Sequence, residues 1–239
     1  MTTDDLLAYL FEGKAQFLAA HVGDWMASSK RFRAFLEEYR DKIRKKLRGM
    51  RDEEGFRDLE AELATAYLLL RERRFTLTYE QYGGSRQRGA DFSVLFKGNL
   101  PFNVEVKRLR SIGPSRPPEL TRYLDALCDK VGQFSPAMIN LLLIAVDPAA
   151  FNRSDLAAAM LNLRVRIERK DNVFFVHRGF RDARDFLRYE RRLGAVLLYA
   201  FDPEWRLSDV FLWPNPFAEH PLPRELNTIF RHWNQPAFP

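Results

Sequence analysis

The uninterrupted apolar run from Leu141 to Val146 is the sequence feature that most limits the possible folds. It belongs to a segment from Ile139 to Val146 that lies between a Ser-Pro pair and an Asp-Pro pair. A strand of this composition has to be covered on both faces, which is typical of the central strand of a sheet flanked by helices. The run is also too short to cross a bilayer. We therefore expect an α/β protein without a membrane-spanning segment.

The spacing of apolar residues changes after Phe75. Before it, residues 4–50 show helical spacing with an expected break near residues 21–24, and a second helical stretch follows Gly55. After it, alternating residues predict one strand, then two more strands around Gly98-Asn99. A further helix, with apolar residues recurring every three or four positions, precedes the apolar run. The predicted core is therefore αβββαβ, with a mixed central sheet flanked by helices.

Beyond the core, the pattern predicts a C-terminal extension of strands and helices. Ser154 is expected to cap a helix that continues through Leu163. The remaining expected elements are a short strand at 172–177, a helix at 181–192, strands at 195–201 and 209–213, and a helix at 224–233. We divide the chain into a helical accessory region (1–52), a core domain (53–215) and a C-terminal tail that packs on the core (216–239).

The charge of the chain permits binding to a polyanion, since the formal net charge is +6. The basic excess is local: between Lys30 and Arg51 there are ten basic and three acidic residues, interleaved with apolar residues at helical spacing. Such a face could lie on a phosphate backbone. A solvated helix surface would have the same pattern, so both interpretations stay open.

We expect a cytoplasmic location from the start of the sequence and the short apolar run. The first five residues include the acidic Asp4 and Asp5 and lack the basic region of a signal peptide. Cys128 is the single cysteine, so one chain can build neither a disulfide framework nor a cysteine-rich zinc site. We expect Cys128 to pack in the core.

The strand that contains Val104-Glu105-Val106-Lys107 has one charged face. Side chains two residues apart project from the same face, so Glu105 and Lys107 point together. Asp91 opens the preceding strand and lies beside Glu105 if the connection between the strands has an odd number of residues, such as three or five. A two-residue turn would instead place Asp91 opposite Val106. The register therefore decides whether the two carboxylates share a face.

Two carboxylates on one side of a sheet form a hard oxygen site for Mg²⁺ or Mn²⁺, and the Val106 carbonyl could add a ligand. Such a metal can polarise a phosphate and activate a bound water. The ammonium group of Lys107 can offset charge in the transition state or orient the attacking water. A surface ion pair between Glu105 and Lys107 is the simpler interpretation of the same residues.

The sequence contains Gly89-Ala90-Asp91-Phe92 and, further on, Glu105-Val106-Lys107, with thirteen residues (92 to 104) between Asp91 and Glu105. This pattern resembles the motif of the PD-(D/E)XK nuclease superfamily. The resemblance covers about residues 55–147, and Ala90 stands where the motif has Pro. It implies a restriction-endonuclease-like core and an Mg²⁺- or Mn²⁺-dependent endonuclease that hydrolyses phosphodiester bonds of nucleic acid. DNA rather than RNA is the implied substrate, and a homodimer is a possible assembly. The alternative is a non-catalytic nucleic-acid-binding or protein-interaction module with the same fold.

The superfamily often has a further acidic residue on the first core helix, where Glu60 and Glu62 compete. Glu62 falls inside the apolar arc of the helix and Glu60 just outside it. A carboxylate inside that arc needs a partner. We expect Glu62 to face the metal as a further catalytic ligand, and an ion pair with an arginine is the alternative.

Four further residues are candidates for contact with nucleic acid. Lys130 and Gln133 lie one turn apart on the helix after the hairpin and could contact a phosphate, although a solvated lysine is the common outcome. Arg86 and Arg88 lie in a glycine-rich basic loop just before Asp91. That loop could touch the backbone of nucleic acid, or it could be an ordinary connection between strands.

Overall fold

The structure, a computed structural model, describes residues 1–80, 89–110, 119–202 and 206–235. The helices are α1 (Thr3–Phe11), α2 (Gln16–Ser28), α3 (Lys30–Gly49), α4 (Glu53–Arg71), α5 (Glu119–Val131), α6 (Arg153–Glu168), α7 (Asn172–Val176), α8 (Ala183–Glu190) and α9 (Arg224–Arg231). The strands are β1 (Phe75–Tyr79), β2 (Phe92–Phe96), β3 (Leu100–Arg108), β4 (Ile139–Val146), β5 (Leu193–Phe201) and β6 (Leu207–Pro214). Across these described ranges, no helix is long and apolar enough to cross a membrane.

The chain divides into two compact units. Unit 1 comprises residues 1–79 and 95–99, and unit 2 comprises residues 80–94 and 100–239. Unit 1 therefore includes α4 and β1 in addition to the first three helices. The domain boundaries expected from the sequence, after residues 52 and 215, stay predictions.

The first helices of unit 1 end at positions that the sequence pattern did not indicate. The break expected near residues 21–24 was wrong, because α2 continues through this segment. The chain turns instead at residues 12–15, where Glu12, Gly13 and Ala15 have positive φ angles. Gly23 stays helical, and a Cβ atom there would lie 3.4 Å from the side chain of Leu7. A side chain at this position would make an ordinary contact with α1, and the glycine does not end its own helix.

The strands form a mixed six-stranded sheet in the order β1-β2-β3-β4-β5-β6, counted over the described residues. β4 pairs in parallel with both β3 and β5, and β6 is antiparallel to β5. Every residue of β4 is buried, so the expected central strand is confirmed. The predicted order αβββαβ is likewise confirmed, as α4-β1-β2-β3-α5-β4.

Helices cover the two faces of the sheet in unit 2. On one face, apolar residues of β4 and β5 pack with α5, α6 and α8 in one buried cluster, which includes Cys128 as expected. On the other face, the ring of Phe230 on α9 contacts Phe102 on β3 at a centroid distance of 6.2 Å. Trp233 contacts Tyr199 on β5 at 6.3 Å. Residues of β3 that alternate with Phe102 consequently face α5.

Two local predictions beyond β4 were wrong. The strand expected at 172–177 is instead the short helix α7 at 172–176, since the Asp171 carboxylate accepts the Phe174 N–H (3.2 Å) and caps a helical turn. The cap of α6 is Asn152 and not Ser154, because the Asn152 side chain accepts the Ser154 N–H at 2.9 Å. In both cases a side chain just upstream satisfies the first free amides of the helix.

Asn140, at the start of β4, is fully buried and joins three segments. Its Nδ2 donates to the carbonyls of Ser135 (2.8 Å), Met138 (2.9 Å) and Arg192 (2.9 Å). We predict that Asn140→Ala lowers the free energy of unfolding by roughly 2 kcal/mol, because buried carbonyls lose their donor. Urea denaturation measures the change, with the exposed Asn234→Ala as control. An equal loss in both variants would contradict this role.

Candidate functional site

The register of the β2–β3 hairpin places Asp91 across from Glu105. The strands are joined by the three residues 97–99, so the connection has the odd length that puts both carboxylates on one face, and the two-residue turn does not form. Gly98, with φ of +74°, allows the tight turn. Ser93 Oγ lies 3.3 Å from Asn103 Oδ1, as expected for residues that face each other across the hairpin. Two residues further from the turn on each strand, the same register pairs Asp91 with Glu105.

The two acidic residues are joined by hydrogen bonds through the backbone of the hairpin. The Asp91 N–H donates to Glu105 Oε2 (3.2 Å), and the Val106 N–H donates to Asp91 Oδ2 (2.8 Å). In an extended strand the N–H and C=O of one residue point to the same side. The Val106 carbonyl therefore points toward the Asp91 side of β3. The hairpin thus directs two carboxylates and one carbonyl to the same region.

Glu105 is a buried acid, with 3% of its surface exposed. Burial raises the pKa of its carboxyl, and the negative charge of Asp91 raises this pKa further. The Lys130 ammonium, which forms an ion pair with Glu105 Oε1, acts in the opposite direction. Lys130 therefore stabilises the ionised form of Glu105, which burial and the charge of Asp91 disfavour.

Two neighbouring residues of α5 contact Glu105 and Lys107 of β3. Lys130 pairs with Glu105, and the carboxylate of Asp129 lies 3.4 Å from Lys107 Nζ. The Lys107 and Asp129 side chains are 35% and 61% exposed, so this second pair is open to solvent. The simpler interpretation of the sequence, a surface pair between Glu105 and Lys107, is not what forms. Each of the two charges instead has its partner on α5.

A buried amide pair supports the same face of β3. Asn103, two residues before Glu105, donates from Nδ2 to Asn140 Oδ1 (3.2 Å) and lies beside it in the β3–β4 register. Sequence reasoning did not identify Asn103, Asn140 or Asp129. The two-residue spacing of Asn103 and Glu105 was the available signal, since it extends the polar face of the strand.

The donor set fits a magnesium or manganese ion. Carboxylate oxygens and a backbone carbonyl are the hard ligands that both ions prefer. Within the described part of the chain, no three His, Cys, Asp or Glu side chains are grouped so that they could hold a metal. The candidate site thus offers the two carboxylates of Asp91 and Glu105. Mg²⁺ is commonly bound through one or two carboxylates and keeps several waters.

Glu62 and Glu60 both have partners inside unit 1. Lys46 Nζ lies 2.7 Å from each carboxylate oxygen of Glu62, and the Tyr79 hydroxyl donates to Oε2 at 2.8 Å. The ion-pair alternative is therefore present, with lysine in place of arginine. Glu60 is the more deeply buried of the two, although the apolar arc placed it outside, because His21 on α2 covers it. The expected metal-binding role of Glu62 stays a prediction.

The structure describes two of the four candidates for nucleic-acid contact. Lys130 is brought to the site, where it contacts Glu105. Gln133 was expected on the same helix but lies two residues beyond the end of α5, where its side chain donates to the Asp129 carbonyl at 3.1 Å. Arg86 and Arg88 lie outside the described residues. Contact of these four residues with nucleic acid stays a prediction.

Much of the positive charge of α3 is used inside unit 1. Arg31 donates to the carbonyls of Leu70 and Glu72 at the end of α4, and Arg44 and Arg48 bind the carboxylate of Glu12. The basic side chains of α3 with such partners include Arg31, Arg33, Lys42, Arg44, Lys46 and Arg48. These basic side chains thus bind partners within unit 1. Neither interpretation of the basic face, as a surface for a phosphate backbone or as a solvated surface, predicted this.

Comparison of the chain with protein-family models, with curated proteins and with solved structures finds no match.

The buried acid Glu60 generates a prediction about pH. Burial raises its pKa above the usual 4.5, although a hydrogen bond from His21 acts in the opposite direction. A carboxyl with a raised pKa binds more protons in the folded than in the unfolded state, so stability falls as pH rises from 4.5 through the folded-state pKa. We expect Glu60→Gln to lose this component, which urea denaturation over a pH series measures.

The control for this measurement is Glu53→Gln on the same helix. Glu53 contacts Arg57 at 3.0 Å, as Glu60 does at 3.5 Å, but the Glu53 side chain is exposed. Its variant should keep the pH slope of the parent protein. A Glu60→Gln variant with the parent slope would show that the buried carboxyl does not control stability.

Proposed function

We propose that this chain is a metal-dependent nuclease of the PD-(D/E)XK type, which hydrolyses phosphodiester bonds of nucleic acid with Mg²⁺ or Mn²⁺. The observation that carries the proposal is the hairpin register, which aligns Asp91 with Glu105 and leaves Lys107 on the Glu105 face of β3. A strand in this position would ordinarily present apolar residues to a covering helix. A buried acid beside a second acid is costly for stability alone, so a role in binding a cation explains it better.

Each residue of the site has a role in this proposal. Asp91 and Glu105 would hold the metal together with the Val106 carbonyl. The bound metal would supply Lewis-acid chemistry, polarising the phosphate and lowering the pKa of a water. Lys107, on a flexible stem, would leave Asp129 to stabilise negative charge on the phosphate or orient the attacking water.

DNA is the substrate that we propose, on the strength of the motif resemblance. A phosphodiester is an anion, so basic residues near the metal would position its backbone. Arg86, Arg88, Lys130 and Gln133 are the candidates. A cytoplasmic location and a homodimer belong to the same proposal.

The second candidate is a module that binds nucleic acid or protein without cleaving. The ion pairs of Glu105 with Lys130 and of Lys107 with Asp129 favour it, since they neutralise the charged face without a metal. Metal binding and cleavage distinguish the two candidates. A non-catalytic module needs neither.

The test is an incubation of the purified protein with supercoiled plasmid, single-stranded DNA and RNA, each with Mg²⁺, Mn²⁺ or chelator. We expect cleavage that requires the metal and is stronger on DNA. Asp91→Asn, which keeps the size of the side chain and removes its charge, should reduce the rate at least about a hundredfold, in line with the loss of one transition-state contact.

Asp125→Asn is the matched control, because it makes the same chemical change on α5. The Asp125 carboxylate is exposed and pairs with Arg178 at 2.8 Å, and it does not contact Asp91 or Glu105. Its variant should retain full activity. Equal cleavage by Asp91→Asn and the parent protein, or cleavage in chelator, would reject the nuclease assignment.

A further inference from the structure

We propose that Lys130 is a resident cation that occupies Glu105 before the metal ion does, so that the metal binds by displacing it. The inference rests on the metal site proposed above and adds a residue that controls occupancy of that site. Its basis is the ion pair of the Lys130 ammonium with Glu105 Oε1. No other side chain of α5 is bonded to Glu105 among the residues that the structure describes.

Both oxygens of Glu105 are in use before a metal arrives. Oε1 receives the Lys130 ammonium, and Oε2 accepts the Asp91 N–H at 3.2 Å. The Glu105 and Lys130 side chains are only 4% and 17% exposed, so water can replace little of this contact. Each carboxylate oxygen keeps a second lone pair, so a metal that binds Oε1 beside the ammonium would place two cations against one oxygen. The backbone N–H is fixed by the hairpin, whereas the lysine side chain can withdraw along its flexible stem.

The charges at the site favour replacement of the ammonium by the metal over binding of both cations. The two ionised carboxylates bring two negative charges, which one divalent ion balances alone. If the ammonium stayed, three positive charges would face two negative ones in a largely buried place. Like charges about 4 Å apart repel strongly where water is excluded. The ammonium and the metal therefore compete for Glu105.

Lys107 differs from Lys130 in this respect, although both are lysines of the same site. Lys107 is held by the exposed carboxylate of Asp129 and not by Glu105. An exposed ion pair of this kind contributes little free energy. The metal can therefore bind without breaking a strong contact of Lys107, so competition belongs to Lys130.

Displacement by the metal would let Lys130 bind a carboxylate first and a phosphate afterwards. The sequence made Lys130 a candidate for contact with a phosphate, and in the structure its ammonium contacts a carboxylate. One ammonium group serves both when the metal displaces it from Glu105, because a phosphate then supplies the anionic oxygen that it has lost. The lysine would bind Glu105 in the free protein and the substrate in the loaded protein.

The first experiment measures Mn²⁺ binding to the full chain by titration calorimetry. Lys130→Met keeps most of the apolar stem and removes the competing charge. We expect its Kd to be about tenfold lower than that of the parent protein, which corresponds to 1.4 kcal/mol of lost competition. Lys107→Met removes the same charge nearby without touching Glu105, and it should change the Kd much less.

The outcomes separate this inference from the nuclease proposal. If the parent protein binds Mn²⁺ but Lys130→Met binds it equally or more weakly, the displacement idea is wrong and the metal site stands. If Lys130→Met and Lys107→Met lower the Kd equally, the loss of any positive charge near the site explains the change, and the displacement proposal is again wrong. If neither the parent protein nor the variants bind Mn²⁺, the metal site itself is rejected together with the inference.

A second measurement on the parent protein covers the case in which Lys130→Met does not fold. Reductive methylation with mass spectrometry reports how fast each lysine reacts. We expect Lys130 to react faster with saturating Mn²⁺ than with chelator, because its ammonium has left a buried contact. A rate that is unchanged or slower when Mn²⁺ is bound would overturn the proposal.

Discussion

The length of one hairpin connection controls the candidate site. Three residues join β2 to β3, and this odd number sets Asp91 across from Glu105. A connection longer or shorter by one residue would shift the register and direct one carboxylate to the opposite face. The other features follow from this pairing. Two acids on one buried face need a cation, and α5 supplies one because the parallel β3–β4 connection passes through that helix.

The features that the sequence predicted well are those encoded by local periodicity. The buried strand β4, the order αβββαβ and the shared face of Glu105 and Lys107 all follow from spacing of two or of three to four residues. The odd register needed one further fact, the number of residues in the turn. The sequence left an odd-length and a two-residue connection open. The structure has three residues, with Gly98 at a positive φ angle.

The features that the sequence missed depend on contacts between distant segments. An apolar arc placed Glu60 outside the core, yet α2 covers it with His21. Periodicity continues through residues 21–24, so it could not show that the chain turns earlier, at left-handed residues. The partner of Lys130 was also hidden, since a helix pattern does not tell which strand residue lies beneath each position. In each case tertiary packing decides what local pattern leaves open.

The separations along the chain suggest an order in which the site assembles during folding. Asp91 and Glu105 are 14 residues apart and meet within one hairpin, whereas Lys130 is 25 residues from Glu105 and arrives with a helix. Short loops close faster than long ones, and a parallel pairing waits for its crossover. The repelling acids are thus brought together before their ammonium is in place. On this order we expect the hairpin to form at an electrostatic cost, which docking of α5 offsets.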